Sequence, residues 1–464
     1  MHLRLRVVAA LVATTSWLML ALPVQAQPTL SLVQAFEAAL QHDPDYRAAI
    51  HERDAALEGV PIARASLLPS VNLSAGVSRV QGEREFPNAL NQTVRTDVNY
   101  DAPQASLAMR APLLNMEAWR RVDVARAQAD GAEAVLRVRA LDLVDRLGAA
   151  YFGVLLARDG RSLARALLEQ AQAQEVRARQ RLGRGEGTQL ELSQASAAVD
   201  VARVRVLEAD HALDVAYRGL KRVTGLESMP LNAPAPDALP MAPTPLTLEE
   251  WVTRALAQSA ALQAREQALL AARLNVDRVR AGHYPRLDVV ASLSESRNDS
   301  ANNLNQASRL GAVGLQLAVP LYSGGGVEAT ARQALAEQAR AEEAVRAERE
   351  TVELEVQRQF LSVASTASKV RALRVAEASA ELAVRAAVAA LDRGLGVTTD
   401  VIDAQTRLYQ VRRDLAEAGY LHLLAHLRLM AAAGMPIGDI VESIDRLLQA
   451  QTAVGSAESG SQKP

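Results

Sequence analysis

The stretch Asp392-Arg-Gly-Leu-Gly-Val-Thr-Thr-Asp-Val-Ile-Asp403 interrupts a run without proline that extends from Leu321 to Met435. Both flanks read as long helices, so this is where one helix ends and the chain turns back. Gly394 and Gly396 supply the backbone freedom for a tight reversal. Thr398 or Thr399 stands where it can cap the returning helix, and Asp400 suits that helix's positive end. Asp400 and Asp403, three positions apart, project from nearly one face of the first turn. The tip occurs twice. Leu182-Gly-Arg-Gly-Glu-Gly-Thr-Gln-Leu-Glu191 sets Arg184, Gly185, Gly187 and Glu191 against Arg393, Gly394, Gly396 and Asp400, all at an offset of 209.

Other landmarks keep this register. Ser31-Leu-Val-Gln34 and Thr247-Leu-Glu-Glu250 are capping-box patterns 216 positions apart, as are Pro69-Ser-Val-Asn-Leu and Pro285-Arg-Leu-Asp-Val. Ala111-Pro112 matches Val319-Pro320 at 208, and Thr224-Gly225 matches Ala433-Gly434 at 209. Register held at five landmarks indicates a tandem duplication. The expected plan is a signal peptide at 1–26, a first repeat at 27–229 and a Pro-rich linker at 230–246. A second repeat at 247–436 and a C-terminal tail at 437–464 follow.

The leader reading rests on Arg4 and Arg6, the apolar run Val7 to Leu22, and the small-x-small site Val24-Gln25-Ala26. Beyond it nothing approaches the ~20 apolar residues of a spanning helix, so a membrane crossing would have to use strands. Net charge is −2, which makes nucleic acid a poor partner. The chain has no cysteine, excluding disulfides, thiolate chemistry and a lipidated N-terminal cysteine.

No proline falls between Leu113 and Met229. Along that territory Val122, Ala129, Leu136, Leu143, Ala150, Ala157, Ala164, Ala171 and Ala178 repeat every seven residues, the mark of a coiled-coil seam. The sister seam, Val356, Val363, Val370, Glu377, Val384 and Leu391, carries a visible break at Glu377. Strands with period-two alternation are expected at about 70–112 and 286–320. Val71, Leu73, Ala75 and Val77 alternate with Asn72, Ser74, Gly76 and Ser78, and Val313, Leu315, Leu317 and Val319 alternate with Gly314, Gln316 and Ala318. Polar loops, Arg79 to Gln104 and Glu295 to Leu310, are expected to join each pair. Apolar-out, polar-in strands suit a lipid-embedded barrel. Four are too few to close one, and open edges cannot face lipid, so several chains would pool their strands; three give twelve.

These features resemble the TolC family of outer-membrane efflux and secretion channels. The resemblance is carried by Leu67-Leu-Pro-Ser-Val-Asn-Leu, Gly282-His-Tyr-Pro-Arg-Leu-Asp-Val, Val313-Gly-Leu-Gln-Leu-Ala-Val-Pro-Leu-Tyr-Ser-Gly-Gly and Asp400-Val-Ile-Asp-Ala-Gln-Thr-Arg-Leu-Tyr409. It implies a mainly α fold with a transmembrane β-barrel portion: a homotrimeric, twelve-stranded outer-membrane barrel continuing into a long α-helical coiled-coil tunnel through the periplasm. It also implies docking, through a periplasmic adaptor, to an inner-membrane ABC or proton-driven pump. By residue match Asp400 and Asp403, with Glu191 from the first repeat, ring the tunnel's entrance, where mutual repulsion favours bound cations. Gly185, Gly187, Gly394 and Gly396 then lie at the adaptor-docking tips. The family's gating arginine is replaced by Gly396, which leaves Arg184 or Arg393 as the gating links. Pro112, Pro320, Gly324 and Gly325 fall at the swivel from barrel to tunnel. The missing lipidation cysteine leans toward the type I secretion branch.

Other chemistry finds little support. His422 and His426 share a helical i, i+4 spacing but lack a third ligand or a neighbouring Glu base, so helix packing is expected instead of metal. Gly324-Gly-Gly326 lacks the Lys-Ser/Thr of a phosphate loop. No catalytic grouping and no cofactor motif stands out. A periplasmic coiled-coil adaptor without a pore is the alternative, and it leaves the strands unexplained.

Overall fold

The computed structural model describes residues 29–87, 90–234, 246–298 and 306–449. The expected signal peptide, most of the linker and the end of the tail lie outside the described residues. The chain runs α1 (Leu32–His42), α2 (Pro44–Leu57), α3 (Gly59–Ala65), β1 (Ser70–Pro87), β2 (Thr93–Leu114), α4 (Met116–Gly183) and α5 (Gln189–Thr224). It continues with α6 (Leu248–Gln258), α7 (Ala260–Arg280), a short 3-10 turn, β3 (Arg286–Asn298), β4 (Gln306–Ala318), α8 (Gly326–Asp392), α9 (Thr398–Ala432) and α10 (Ile437–Gln449).

At 1.5 Å per residue, α4 with 68 residues and α8 with 67 are each about 100 Å long. In α4 the heptad residues Val122, Ala129, Leu143, Ala164, Ala171 and Ala178 are buried, and Leu136, Ala150 and Ala157 half-buried. α4 packs against α5, α7 and α9, with Ala171 set against Val199 and Ala202 of α5 and Val122 against Ala63 of α3. In α8 the seam's break is resolved by its partner. Arg412 of α9 donates to Glu377 at 2.8 Å and also to Glu381. An ion pair at a seam position fixes register where an apolar side chain would tolerate slippage. No described helix is long and apolar enough to cross a membrane.

The four strands form one antiparallel sheet in the order β1-β2-β3-β4, so β2 and β3 join the two repeats. Directly opposed residues share a face, and the rows Val71–Met109–Ala291–Val313, Leu73–Leu107–Leu293–Gly311 and Ala111–Val289–Leu315 make one side apolar. Val71, Leu73, Val77, Leu293, Val313, Leu315 and Leu317 on that side are exposed. The opposite side carries Ser74 bonded to Ser106 at 2.7 Å, and Arg110 bonded to the buried Asp288 at 2.5 and 3.1 Å.

Two expectations are corrected. The presumed loop from Arg79 to Gln104 is mostly strand, paired without a break from Ser70↔Arg110 to Pro87↔Thr93, and the pairing of β3 with β4 likewise continues to Asn298↔Gln306. Charged residues read as loop, but here they pair across the ribbon, as Glu85 does with Arg95. The segment 437–464, expected as a C-terminal tail, contains α10, whose Ile440, Val441, Ile444 and Leu448 are buried. Their spacing gives one apolar helix face.

α10 closes the core that surrounds the middle of the helices. Asp445 accepts the Leu32 N–H at 2.9 Å across 413 positions, and Tyr151 donates its hydroxyl to the Leu30 and Asn232 carbonyls at 2.9 and 3.0 Å. Beside this core Asp43 caps α2 by accepting the Tyr46 N–H at 2.8 Å and receives both terminal nitrogens of Arg146 at 2.8 and 3.0 Å. Burial pushes the Asp43 carboxyl up, but Arg146 and the backbone N–H groups outweigh it, leaving the pKa below its ordinary value. A depressed carboxylate contributes stability present above its unfolded pKa and lost as pH falls through the folded one. An acid unfolding series should therefore show Asp43→Asn with a flatter decline than wild type below about pH 4. Parallel curves would deny this pair its role.

Candidate functional site

The two helix turns close alike. At the first, Gly185 N–H bonds the Leu182 carbonyl at 3.0 Å and Glu186 N–H the Arg181 carbonyl at 2.9 Å. At the second, Gly394 bonds Leu391 at 3.0 Å and Leu395 bonds Ala390 at 2.9 Å. This is the Schellman closure, and it places Gly185 and Gly394 at φ of 75° and 74°, the left-handed region that favours glycine. The second glycine of each tip serves close approach instead. A Cβ on Gly187 would lie 3.1 Å from Arg181 Cβ, and one on Gly396 would lie 3.1 Å from Ala390 Cβ.

The returning helices start differently. Thr188 accepts the Glu191 N–H at 3.2 Å while Glu191 accepts the Thr188 N–H at 3.3 Å, a complete capping box. At the second tip neither Thr398 nor Thr399 caps. Val397 holds the N-cap position with no hydroxyl to offer, and Thr398 is buried at the first helical position. Asp400 alone supplies the reciprocal half, accepting the Val397 N–H at 3.3 Å. Asp400 and Asp403 are both exposed, and Asp403 has no side-chain partner among the described residues. Arg184 lies 3.8 Å from Glu186 and does not pair with Glu191, while Arg393 is exposed and unpaired among the described residues. Glu191 is half-buried on the first tip.

Behind the tips, α9 is tied to the first hairpin at three levels. The Arg205 guanidinium lies 5.1 Å from the Tyr409 ring centre, Tyr420 donates to Asp159 at 2.6 Å, and Arg428 pairs with Asp145 at 2.6 Å. Burial, with Asp159 beside it, pushes the Tyr420 hydroxyl up, so it stays a donor. A cleft of about 330 Å³ separates the hairpins nearer the tip, lined by Leu167, Ala171, Val201 and Ile402. His422 is buried with its Nδ1 3.0 Å from the Thr366 hydroxyl, and burial together with His422 holds His426 below its ordinary pKa. Among the described residues no three His, Asp or Glu side chains are grouped to hold a metal.

At the other end, Pro112 sits at a register shift between β2 and β3, where a residue without an N–H is tolerated. Gly324 and Gly325 have φ of 61° and 77°, and Gly325 is the N-cap of α8; Pro320 follows β4. The sequence reading missed what surrounds this junction. Glu117 receives Arg278 at 3.3 Å and Arg286 at 2.8 Å, while Trp119, Tyr284 and Tyr322 are exposed beside the strand ends. Aromatic residues flanking an apolar strand band mark a membrane interface, a signal visible in a chain with 3% aromatics.

A sheet with an apolar outer side, set on helices about 100 Å long with paired turns at the far end, defines an outer-membrane channel protein. Residues 35–226 and 251–435 match the family described as Outer membrane efflux protein, and the chain belongs to it. It is 35% identical to the proteases secretion protein PrtF of Dickeya chrysanthemi over 87% of this chain and 88% of that one. It is 32% identical to the alkaline protease secretion protein AprF of Pseudomonas aeruginosa over 88% and 85%. The Campylobacter jejuni CmeC outer membrane channel shares the fold, with a TM-score of 0.72, 16% identity and coverage of 90% of this chain and 89% of that one. The expected TolC-like fold, the outer-membrane location and the export-channel function hold. The reading as an adaptor without a pore does not account for these matches.

Proposed function

We propose that three copies of this chain close one twelve-stranded barrel and continue it as a helical tunnel, forming the exit duct of a type I secretion system for a protein cargo. The observation that carries this is the sheet. Its apolar side suits lipid, yet β1 and β4 each leave an edge unpaired by any described strand of the same chain, and an open edge cannot face lipid. Neighbouring copies supply the missing pairing. Similarity to two protease secretion proteins favours protein cargo, driven by an inner-membrane ABC pump acting through a periplasmic adaptor. The adaptor docks on the turns at Gly185, Gly187, Gly394 and Gly396. Asp400 and Asp403 of three copies, with Glu191, line the entrance, and Arg184 and Arg393, unengaged with these acids in one chain, form the links between copies. The duct carries out no chemistry on its cargo.

Particle mass in detergent and conductance in a planar bilayer test the reading together. Three chains per particle and discrete cation-preferring channels are expected. A monodisperse single chain that never conducts would overturn it.

A further inference from the structure

The two faces of the β1–β2 ribbon exchange character partway along its length. Pairing is unbroken from Ser70 to Pro87, so residue parity keeps the same face throughout. On the outer face Val71/Met109, Leu73/Leu107, Ala75/Ala105 and Val77/Pro103 give way to Arg79/Asp101, Gln81/Asn99, Glu83/Asp97 and Glu85/Arg95. On the inner face the order reverses. Asn72/Ala108, Ser74/Ser106 and Gly76/Gln104 are followed by Val80/Tyr100, Gly82/Val98 and Phe86/Val94. The first switch marks where the strands leave lipid for water. The second has no such cause, since a ribbon in water on both sides needs no apolar face.

That ribbon also stands unsupported. β3 pairs with β2 no further than Gln104↔Ser296, so the segment from Arg79 to Pro87 and its partner strand form a bare two-stranded hairpin. Such a hairpin is marginal in water unless something covers one side. Val80, Phe86, Val94, Val98 and Tyr100 are half-buried in the single chain, whereas Arg79, Gln81, Glu83 and Glu85 opposite are exposed. The inner face continues the lumenal face of the barrel, so what lies across from it is the pore axis and the same ribbon of other copies. Reach permits contact. Nine residues from Arg79 to Pro87 span about 30 Å, and twelve strands spaced about 4.8 Å apart and tilted about 40° enclose a barrel roughly 24 Å across.

We propose that these ribbons lean over the outer mouth of the channel and pack their apolar inner faces on one another, forming an exit constriction separate from the periplasmic entrance. This rests on the trimeric reading above. Arg84, opposite Thr96, is the charged member of the face. Three copies of it near the axis repel, keeping the contact weak enough to part when cargo arrives.

The cysteine-free chain allows a direct test. Val98→Cys, on the inner face, and Gln81→Cys, on the outer face, are expressed separately and oxidised in intact cells. Because a disulfide needs Cα atoms within about 7 Å, Val98→Cys should give at least about five-fold more linked dimer than Gln81→Cys. In bilayers Val98→Lys should raise single-channel conductance by about two-fold, since a second positive charge beside Arg84 keeps the face from packing at the axis. If particles remain trimeric but Val98→Cys does not cross-link, or is shielded from a membrane-impermeant maleimide without cross-linking, the ribbons do not meet and the proposal fails while the trimer stands. Monomeric particles would overturn both.

Discussion

Gly434→Ala is expected to lower the unfolding temperature by many degrees. Gly434 closes α9 at φ 71°, and a Cβ there would sit 2.7 Å from both the carbonyl carbon and the oxygen of Gln258. Both contacts are to backbone at the end of α6, which cannot swing aside as a side chain could. Left-handed strain costs about 1–2 kcal/mol and overpacking a further 1–3 kcal/mol, against a typical total stability of about 5–15 kcal/mol. The damage also spreads, because Gly434 sets the direction in which the chain enters α10 and α10 closes the central core. Gly438→Ala is the control, since a Cβ there meets nothing within 4 Å. Thermal unfolding of the purified protein decides the matter. Gly434→Ala should melt many degrees below wild type and Gly438→Ala close to it, and near-identical curves would refute the account.

The second large effect concerns selectivity. Asp400→Asn with Asp403→Asn removes two charges per chain from the second tip, six in a trimer. The asparagine oxygen at 400 still accepts the Val397 N–H, so the helix start survives and stability should change little. Cation preference over anions in bilayer recordings is expected to fall by roughly three- to tenfold, because a ring of carboxylates at a narrow mouth sets which ions enter. Asp403→Asn should account for more of the loss than Asp400→Asn, since Asp400 is half committed to its own helix end whereas Asp403 has no side-chain partner among the described residues. An unchanged reversal potential in the double variant would show that these acids do not line the aperture.

Both predictions come from turns whose glycines are legible in the sequence, and this was generally so where a signal is local. The absence of proline and the heptads of α4 give the helices; the alternation from Val71 to Val77 gives a strand. The second tip shows the limit. Thr398 and Thr399 look like caps, yet the closure of Gly394 on Leu391 brings Val397 to that position and buries Thr398 instead.

The sequence by itself determined the long helices, the inner strand segments, the turns and their repetition, because capping, turn formation and hydrophobic period act between residues a few positions apart. Tertiary structure decided what those elements do to one another. The pairing of β2 with β3, the bond from Asp445 to Leu32, the grip of Arg412 on Glu377 and the full length of the outer ribbon all join residues far apart or of unlike pattern. A charged or polar side chain in sequence carries no mark of its eventual partner. Its desolvation is tolerable when a distant opposite group arrives, and that arrival belongs to the packed molecule.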